Sequence, residues 1–181
     1  SKAKTLKATR ICLAGAWKYP SQDEFKTILK MITYAKDEGL ETCASLGSLN
    51  EQMAFDLANC GLDYYNHNID TSENNYPHII TTRNFKERLQ TIQNVRKANL
   101  MVCCGGILGL GENWKDRLSM LATLSSLLPP PESVPINLLI PSKGTPLENQ
   151  PLIDPIILIQ VIAMARILMP GSKIRLSAGR D

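Results

Sequence analysis

The sequence predicts an α/β fold in which helices cover a parallel β-sheet. Short segments rich in β-forming residues recur along the chain, and each except the last precedes a segment with helical spacing of apolar residues. This alternation is typical of βα units, whose crossover helices hold neighbouring strands parallel. The predicted strands are residues 9–15, 41–46, 62–69, 100–107, 134–140 and 173–177.

Capping pairs predict where the first three helices begin. In a capping box, a small polar residue stands three positions before a Glu, and each side chain satisfies a backbone N–H of the other. Gly39 and Gly61 are expected to end the first and second helices, because glycine is favoured just past a helix. The predicted capping pairs are Ser21 with Glu24, Ser48 with Glu51 and Asn84 with Glu87.

Two further helices are expected downstream. The fourth opens near Asn113 and ends at the three consecutive prolines from Pro129, since proline has no backbone N–H to donate. The fifth starts at Asp154 and Pro155, a favourable cap and first-turn pair. Its nearly all-round apolar surface predicts that it is buried.

This set of elements fits either a doubly wound sheet or most of a (β/α)8 barrel of the TIM type. No GxGxxG motif opens the first helix, which weakens the case for a dinucleotide-binding sheet. A complete barrel usually takes about 250 residues, whereas this chain has 181. We therefore expect residues 1–181 to form a single domain, an incomplete barrel with about six of the eight βα units.

Composition and charge exclude several classes of protein. The longest nearly apolar stretch, residues 155–170, is interrupted by Gln160 and Arg166 and is shorter than the roughly 20 residues that cross a bilayer. The net charge is +3, and the 20 Lys and Arg residues are scattered among 17 Asp and Glu residues rather than gathered in one block. This pattern suits a small anionic ligand better than a nucleic acid. The first ten residues hold no apolar signal segment, so we expect a cytoplasmic protein that binds neither nucleic acid nor membrane.

Three cysteines occupy similar places in three predicted strands. Because side chains alternate across a strand, Cys12, Cys43 and Cys103 could point three thiols into one cavity near the strands' carboxyl ends. A free cysteine is more often a small buried apolar residue, so both interpretations stay open on spacing alone. Cys60, at the end of a helix, and Cys104, facing away from its neighbour, are expected to be structural.

The end of the third predicted strand is unusually rich in amide and carboxylate groups. Alternation places Asn66, Asn68 and Asp70 on one face and His67 on the other. Such groups need hydrogen-bond partners when buried, and they could bind a carbonyl, a ring N–H or the hydroxyls of a ribose. The alternative is a solvated loop between strand and helix.

Two polar residues interrupt the apolar runs of later strands. Asn137 is an odd residue in mid-strand unless it faces the lumen, and Arg175 would need an anion or a metal-bound sulfide there. The glycine-rich run of residues 105–112 permits close backbone approach to a ligand, although such runs also serve only as turns.

Together these segments resemble the biotin synthase family of radical S-adenosylmethionine (SAM) enzymes, which have a barrel fold. YNHN-x-DT and PESVPIN are the most specific motifs, and the glycine run is not specific. The stretches that carry the resemblance are CLAGAWKYP from Cys12, GLDYYNHNIDTS from Gly61, IITTRNFKERL from Ile79, GGILGLGE from Gly105, PPESVPINLLIPSKGTPL from Pro130 and IRLSAGR from Ile174.

The resemblance implies a metal centre and gives the three cysteines a role. Cys12, Cys43 and Cys103 would hold a two-iron, two-sulfur (2Fe-2S) cluster, with Arg175 as an unusual fourth ligand. Of the two interpretations of the three cysteines, the resemblance therefore favours a shared site that binds a cluster.

The resemblance also implies the sites of two small molecules. Asn68 and Asp70 would bind the ribose of SAM, and Arg88 would bind its carboxylate. Asn66, Asn68 and Asn137 would hold the ureido ring of dethiobiotin. In the family's reaction, a separate four-iron (4Fe-4S) cluster reduces SAM to a 5'-deoxyadenosyl radical, which abstracts hydrogen from dethiobiotin, and sulfur from the two-iron cluster enters the product. No acid or base catalyst is expected, because the protein positions the reactants.

One family motif is absent. No CxxxCxxC, which holds the four-iron cluster in the family, occurs in these residues. By the same resemblance we expect the barrel's first and last strands to be missing too. We therefore expect a partial radical SAM barrel that is inactive alone.

The alternatives are another sulfur-inserting enzyme such as lipoyl synthase, or an inactive ligand-binding fragment. A homodimer, an electron donor such as flavodoxin or ferredoxin, and a mitochondrial matrix location in a eukaryote complete the expectations.

Overall fold

A computed structural model describes residue 5 and residues 7–176 of the chain. Helices alternate with parallel strands, so the predicted α/β fold is confirmed. Ser177, the last residue of the sixth predicted strand, lies outside the described residues. The strands are β1 (Arg10–Ala14), β2 (Glu41–Ser45), β3 (Tyr64–Asn66), β4 (Met101–Cys103), β5 (Gly106–Leu108), β6 (Ser133–Leu138) and β7 (Lys173–Leu176). The helices are α1 (Gln22–Asp37), α2 (Glu51–Asn59), α3 (Tyr76–Ile79), α4 (Phe85–Lys97), α5 (Trp114–Ser126) and α6 (Pro155–Leu168).

The chain forms two compact units whose segments interleave along the sequence. The first unit holds the described residues up to His67 together with Glu87–Val102, and the second holds Asn68–Lys86 and the described residues from Cys103 onward. Within residues 5 and 7–176, no helix is long and apolar enough to span a membrane.

In the first unit, β1, β2, β3 and the start of β4 lie side by side in that order. The parallel register of β1 and β2 runs from Arg10 opposite Glu41 to Ala14 opposite Ser45. Helix α1 begins with the predicted capping box, in which Ser21 and Glu24 each accept a backbone N–H. The apolar face of α1 is buried by Phe25, Ile28, Ile32 and Ala35.

Asp63 joins three elements of the first unit. Its carboxylate accepts hydrogen bonds from Lys36 Nζ of α1 at 2.9 and 2.8 Å. It also accepts from the backbone N–H and the hydroxyl of Thr42 in β2, at 2.7 and 3.0 Å. Burial of the carboxyl opposes its ionisation, but these hydrogen bonds outweigh burial and hold the pKa of Asp63 below its ordinary value.

In the second unit, β6 is paired on both sides by parallel strands. Cys103 of β4 lies opposite Ser133, and Gly106 of β5 lies opposite Ile136. The residue numbers differ by the same amount in both pairs, so β4 and β5 share one register with β6. Strand β7 pairs with the other edge, where Arg175 lies opposite Pro135. The single strand predicted over residues 100–107 is therefore present, but it is interrupted between β4 and β5.

Pro135 explains the interruption. By the common offset, Pro135 lies opposite Gly105, and proline has no N–H for the ladder. The Gly105 carbonyl accepts from the N–H groups of Ile69 and Asp70, at 3.1 and 3.3 Å. Only glycine fits at this position, because a Cβ there would lie 1.9 Å from the Pro135 carbonyl oxygen.

The segment between β3 and α4 differs from prediction in two ways. Strand β3 ends at Asn66 rather than at residue 69. Asp70 has φ of 66°, in the left-handed region that Asp tolerates but a strand does not contain. A short helix, α3, follows; four residues that include Pro77 show no apolar periodicity from which to predict it.

The predicted N-cap of α2 was wrong by two residues. The Asn50 side chain, not that of Ser48, accepts from the Met53 N–H at 2.8 Å. Ser48 is buried at 2% exposure, and its hydroxyl oxygen has no hydrogen-bond partner among the described residues. Both residue types are good caps, and the burial of Ser48 leaves the role to Asn50.

The corrected cap predicts opposite outcomes for two neighbouring substitutions. Asn50→Ala should lower the free energy of unfolding by about 1 kcal/mol, because an α2 N–H loses its partner. Ser48→Ala should leave stability unchanged or raise it, because it removes a buried hydroxyl without a partner. Urea unfolding of both variants measures the two free energies. A larger loss of stability for Ser48→Ala than for Asn50→Ala would support Ser48 as the cap, as first predicted.

Asp63→Asn should destabilise the protein by about 1–3 kcal/mol at neutral pH, because it removes a charged acceptor from partly buried donors. A carboxyl with a lowered folded pKa stabilises above its unfolded value of about 3.9, and loses this contribution as the pH falls through the folded pKa. The difference in free energy of unfolding between wild type and Asp63→Asn, measured with urea, should therefore become smaller as the pH falls from 7 to 3. Asp37→Asn, at an exposed position ending α1, is the control. A pH-independent gap for Asp63→Asn would contradict the prediction.

Candidate functional site

Two cysteines lie side by side on the sheet of the first unit. The register of β1 and β2 places Cys12 directly opposite Cys43, so both thiols point to the same face. Cys12 is exposed and Cys43 is buried. Leu13 and Ala44, the next residues of the two strands, are buried on the opposite face. The structure thus brings together two of the three predicted cysteine ligands.

Polar residues surround this pair on the same face. Tyr64 lies opposite Cys43 on β3, and the Arg10 guanidinium stacks over its ring at 4.0 Å from the centroid. A hydrogen bond and ion pair with Glu41 raise the pKa of Arg10 although burial opposes this, and the Glu41 carboxylate offsets the charge of the guanidinium. Arg10 was missed from the sequence; its position two residues before Cys12 on one strand is the signal that identifies it.

Asn66 ends β3 on this face. Its Nδ2 donates to the Ser45 hydroxyl at 3.3 Å. Arg88 also belongs to the first unit, in the first turns of α4, where it is half-buried. These are the two predicted ligand-binding residues of this unit.

A guanidinium meets a thiol in the second unit. Arg175 Nη2 donates to Cys103 Sγ at 3.1 Å, and its Nε donates to the Ser133 hydroxyl at 2.7 Å. Cys103 and Ser133 are paired across β4 and β6 and are buried at 2% and 1% exposure. Ser133 was also missed from the sequence, although it stands in the PESVPIN motif, four residues before Asn137 and on the same face of β6.

The other predicted residues of the second unit lie around Gly105 and β6. Asn68 Oδ1 accepts from the Gly105 N–H at 3.0 Å, and among the described residues no hydrogen bond from the Asn68 amide NH2 is seen. The Asp70 carbonyl accepts from the Ile107 N–H at 2.7 Å. Asn137 lies opposite Ile107 in the register of β5 and β6 and is half-buried.

Burial alternates along the segment that carries the predicted amides. The side chains of Asn66, Asn68 and Asp70 are each partly exposed, whereas His67 and Ile69 between them are buried. The alternation expected from the sequence thus continues beyond the end of β3. It leaves the amides and the carboxylate as the accessible groups and His67 in the core beside Tyr65, with ring centroids 6.3 Å apart.

A buried ion pair organises the glycine-rich run. Both oxygens of Glu112 accept from the Gly109 N–H, at 3.1 and 3.0 Å, and Arg117 Nε donates to one of them at 2.9 Å. Gly109 has φ of 98°, which only glycine adopts without strain. The run is therefore a fixed turn that leads into α5.

The remaining cysteines agree with a structural role. Cys60 Sγ donates to the Leu57 carbonyl at 3.1 Å, and burial raises the pKa of its thiol. Cys104 is fully buried. Among the described residues, no three His, Cys, Asp or Glu side chains gather into one metal-binding group. The geometry instead provides two pairs, Cys12 with Cys43 and Cys103 with Arg175.

Comparison with known proteins assigns the family. Residues 2–124 match the family model described as Radical SAM superfamily. The chain belongs to the radical SAM superfamily. Residues 135–181 match a second model, described as Biotin and Thiamin Synthesis associated domain.

Individual relatives show which members of the superfamily the chain is similar to. The chain is 53% identical over 174 residues to a biotin synthase of Marinobacter nauticus, across 96% of this chain and 49% of that protein. It is 55% identical over 179 residues to a biotin synthase of Brucella ovis, across 99% of this chain and 55% of that protein. The chain therefore spans about half the length of the curated relatives it matches.

A solved structure supports the fold of this radical SAM chain. The crystal structure of methylornithine synthase (PylB) superposes with a TM-score of 0.82 and 18% identity, over 95% of this chain and 52% of that one. At this identity the likeness concerns the fold alone, and it agrees with the partial (β/α)8-type architecture expected from the sequence.

Proposed function

We propose that this chain is the central part of a biotin synthase, which inserts sulfur into dethiobiotin to form biotin. The hydrogen bond between Arg175 and Cys103 is the observation that carries the proposal. Arg175 is itself exposed, but its guanidinium donates to a buried hydroxyl and a buried thiol, an arrangement that suits an anionic, sulfur-rich group. The identity to biotin synthases and the match of residues 135–181 support the same activity.

The donor atoms fit a 2Fe-2S cluster. Such clusters are bound by cysteine thiolates on the protein, and Cys12, Cys43 and Cys103 are all strand residues with fixed backbones. We assign these three thiols and Arg175 as the ligands of one cluster. When bound, this cluster supplies the sulfur atom that enters the product. Ser133 orients the guanidinium of Arg175.

Amides are assigned to the substrate. The amide NH2 of Asn68 is available to donate to the ureido carbonyl of dethiobiotin, because its oxygen is already committed to the Gly105 N–H. Asn66 and Asn137 supply further amide donors and acceptors for the ring N–H groups. These contacts would orient the substrate, which is the protein's main contribution to radical chemistry.

The cofactor residues follow the same logic. The Asp70 carboxylate, partly exposed beside a backbone fixed by Gly105 and Ile107, can accept from both ribose hydroxyls of SAM. The Arg88 guanidinium can bind the SAM carboxylate through two parallel hydrogen bonds. No acid or base catalyst is assigned.

The rest of the reaction needs parts that these 181 residues do not supply. No CxxxCxxC occurs in the sequence, so the proposal places the ligands of the 4Fe-4S cluster in the half of the relatives that this chain does not match. An electron donor such as flavodoxin or ferredoxin, a homodimer and a cytoplasmic location belong to the proposal for the whole protein.

Cysteine substitutions test the cluster assignment. After anaerobic reconstitution with iron and sulfide, Cys12→Ala, Cys43→Ala and Cys103→Ala should each lose most of the bound iron, because each removes a thiolate ligand. Cys60→Ala and Cys104→Ala are matched controls and should retain it. Bound iron and sulfide per chain, with the visible absorption spectrum, measure the outcome. Unchanged loading in any of the first three variants would contradict the ligand set.

A further inference from the structure

Cys12 and Cys43 have the geometry of a cross-strand thiol pair. They are directly opposite each other in the register of β1 and β2, and both point to the same face. Neighbouring strands lie about 4.8 Å apart, inside the range of roughly 4.4–6.8 Å that a disulfide spans between Cα atoms. Neither cysteine is in a disulfide in this structure.

The surroundings make each of these cysteines the natural partner of the other. On the far side of Cys43 the register places Tyr64, which offers no thiol. Cys60, the other cysteine of the first unit, donates from its Sγ to the Leu57 carbonyl at the end of α2. Cys12 is exposed and Cys43 is 4% exposed, so an oxidant would reach the pair through Cys12.

We propose that Cys12 and Cys43, when they hold no cluster, form a reversible disulfide that joins β1 to β2. Glutathione disulfide is a sufficient oxidant. The Cys12 thiolate attacks one of its sulfurs, which forms a mixed disulfide and releases one glutathione. The Cys43 thiolate then attacks the Cys12 sulfur and releases the second glutathione. Two protein thiols lose two electrons and two protons, and one glutathione disulfide is reduced to two glutathiones.

The bond is expected to be easy to reduce. Paired side chains on parallel strands stand side by side, so a sulfur bridge must draw the two Cβ atoms together. Deviation from relaxed disulfide geometry stores strain, and strained or exposed disulfides are the labile ones. The consequence for iron rests on the proposed function: in the oxidised chain two of the three thiolate ligands are unavailable, so cluster loading requires a reductant.

Mass mapping of the oxidised chain tests the pairing. The metal-free chain is incubated with glutathione disulfide under air-free conditions, digested without reductant and compared with a sample treated with dithiothreitol. We expect a peptide linking Cys12 to Cys43, a loss of two of the five thiols, and recovery of both with dithiothreitol. A linkage between Cys12 residues of two chains, or no linkage at all, would overturn the proposal.

Single substitutions give the matched controls. Cys43→Ala should stop at the mixed disulfide, seen as one glutathione added at Cys12, while Cys60→Ala should form the linkage as wild type does. Circular dichroism shows that each variant is folded. If Cys43→Ala added no glutathione although folded, the proposed entry through Cys12 would be wrong.

Iron loading separates this proposal from the proposed function. The oxidised chain should bind iron and sulfide only after reduction, whereas the reduced chain should bind them at once. If the linkage forms but the reduced chain binds no iron, the cluster assignment fails and the disulfide stands. If the oxidised chain binds iron and sulfide as fast as the reduced chain, the proposal that the disulfide blocks cluster loading is wrong.

Discussion

The pairing register of the parallel strands is the constraint on which the candidate site depends. A slip of one residue between paired strands would turn every side chain of a strand to the opposite face. In the register of β1 and β2, Cys12 and Cys43 share a face, while Leu13 and Ala44 are buried on the other. In the register of β4 and β6, Cys103 and Ser133 are paired, and Arg175 on the other side of β6 donates to both. Burial of the apolar residues thus fixes the position of the polar ones.

A second constraint acts at Gly105. Because Pro135 cannot donate to the ladder, the strand opposite it is interrupted, and beside this interruption the Gly105 carbonyl accepts from the N–H groups of Ile69 and Asp70. The Gly105 N–H in turn bonds to the Asn68 side chain. The backbone of Gly105 therefore holds the segment that carries Asn68 and Asp70, the residues proposed to bind the substrate and the ribose.

Local sequence signals predicted the elements well, because alternating apolar residues and caps such as Ser21 act over a few residues. The choice between Ser48 and Asn50 as the cap of α2 could not be made from the sequence, since it depends on which of the two is buried by distant residues. Arg175 was predicted to need an anion or a metal-bound sulfide, and this stays a prediction; in the structure its guanidinium donates to the thiol of Cys103. Its second partner, Ser133, depends on strand order, which a single sequence does not contain. The interruption at Gly105 needed the same information.

The proposed cluster site is tested most directly by asking whether Arg175 binds the cluster. The chain is labelled with ¹⁵N-arginine, loaded anaerobically with iron and sulfide, and reduced by one electron, and electron-nuclear double resonance then measures coupling between the cluster and nitrogen. We expect a ¹⁵N coupling that disappears in Arg175→Met, while ¹⁵N-labelled Arg166→Met protein, changed at an exposed residue of α6, keeps it. A two-iron signal without arginine coupling, or a coupling that survives in Arg175→Met, would contradict the assignment of this guanidinium.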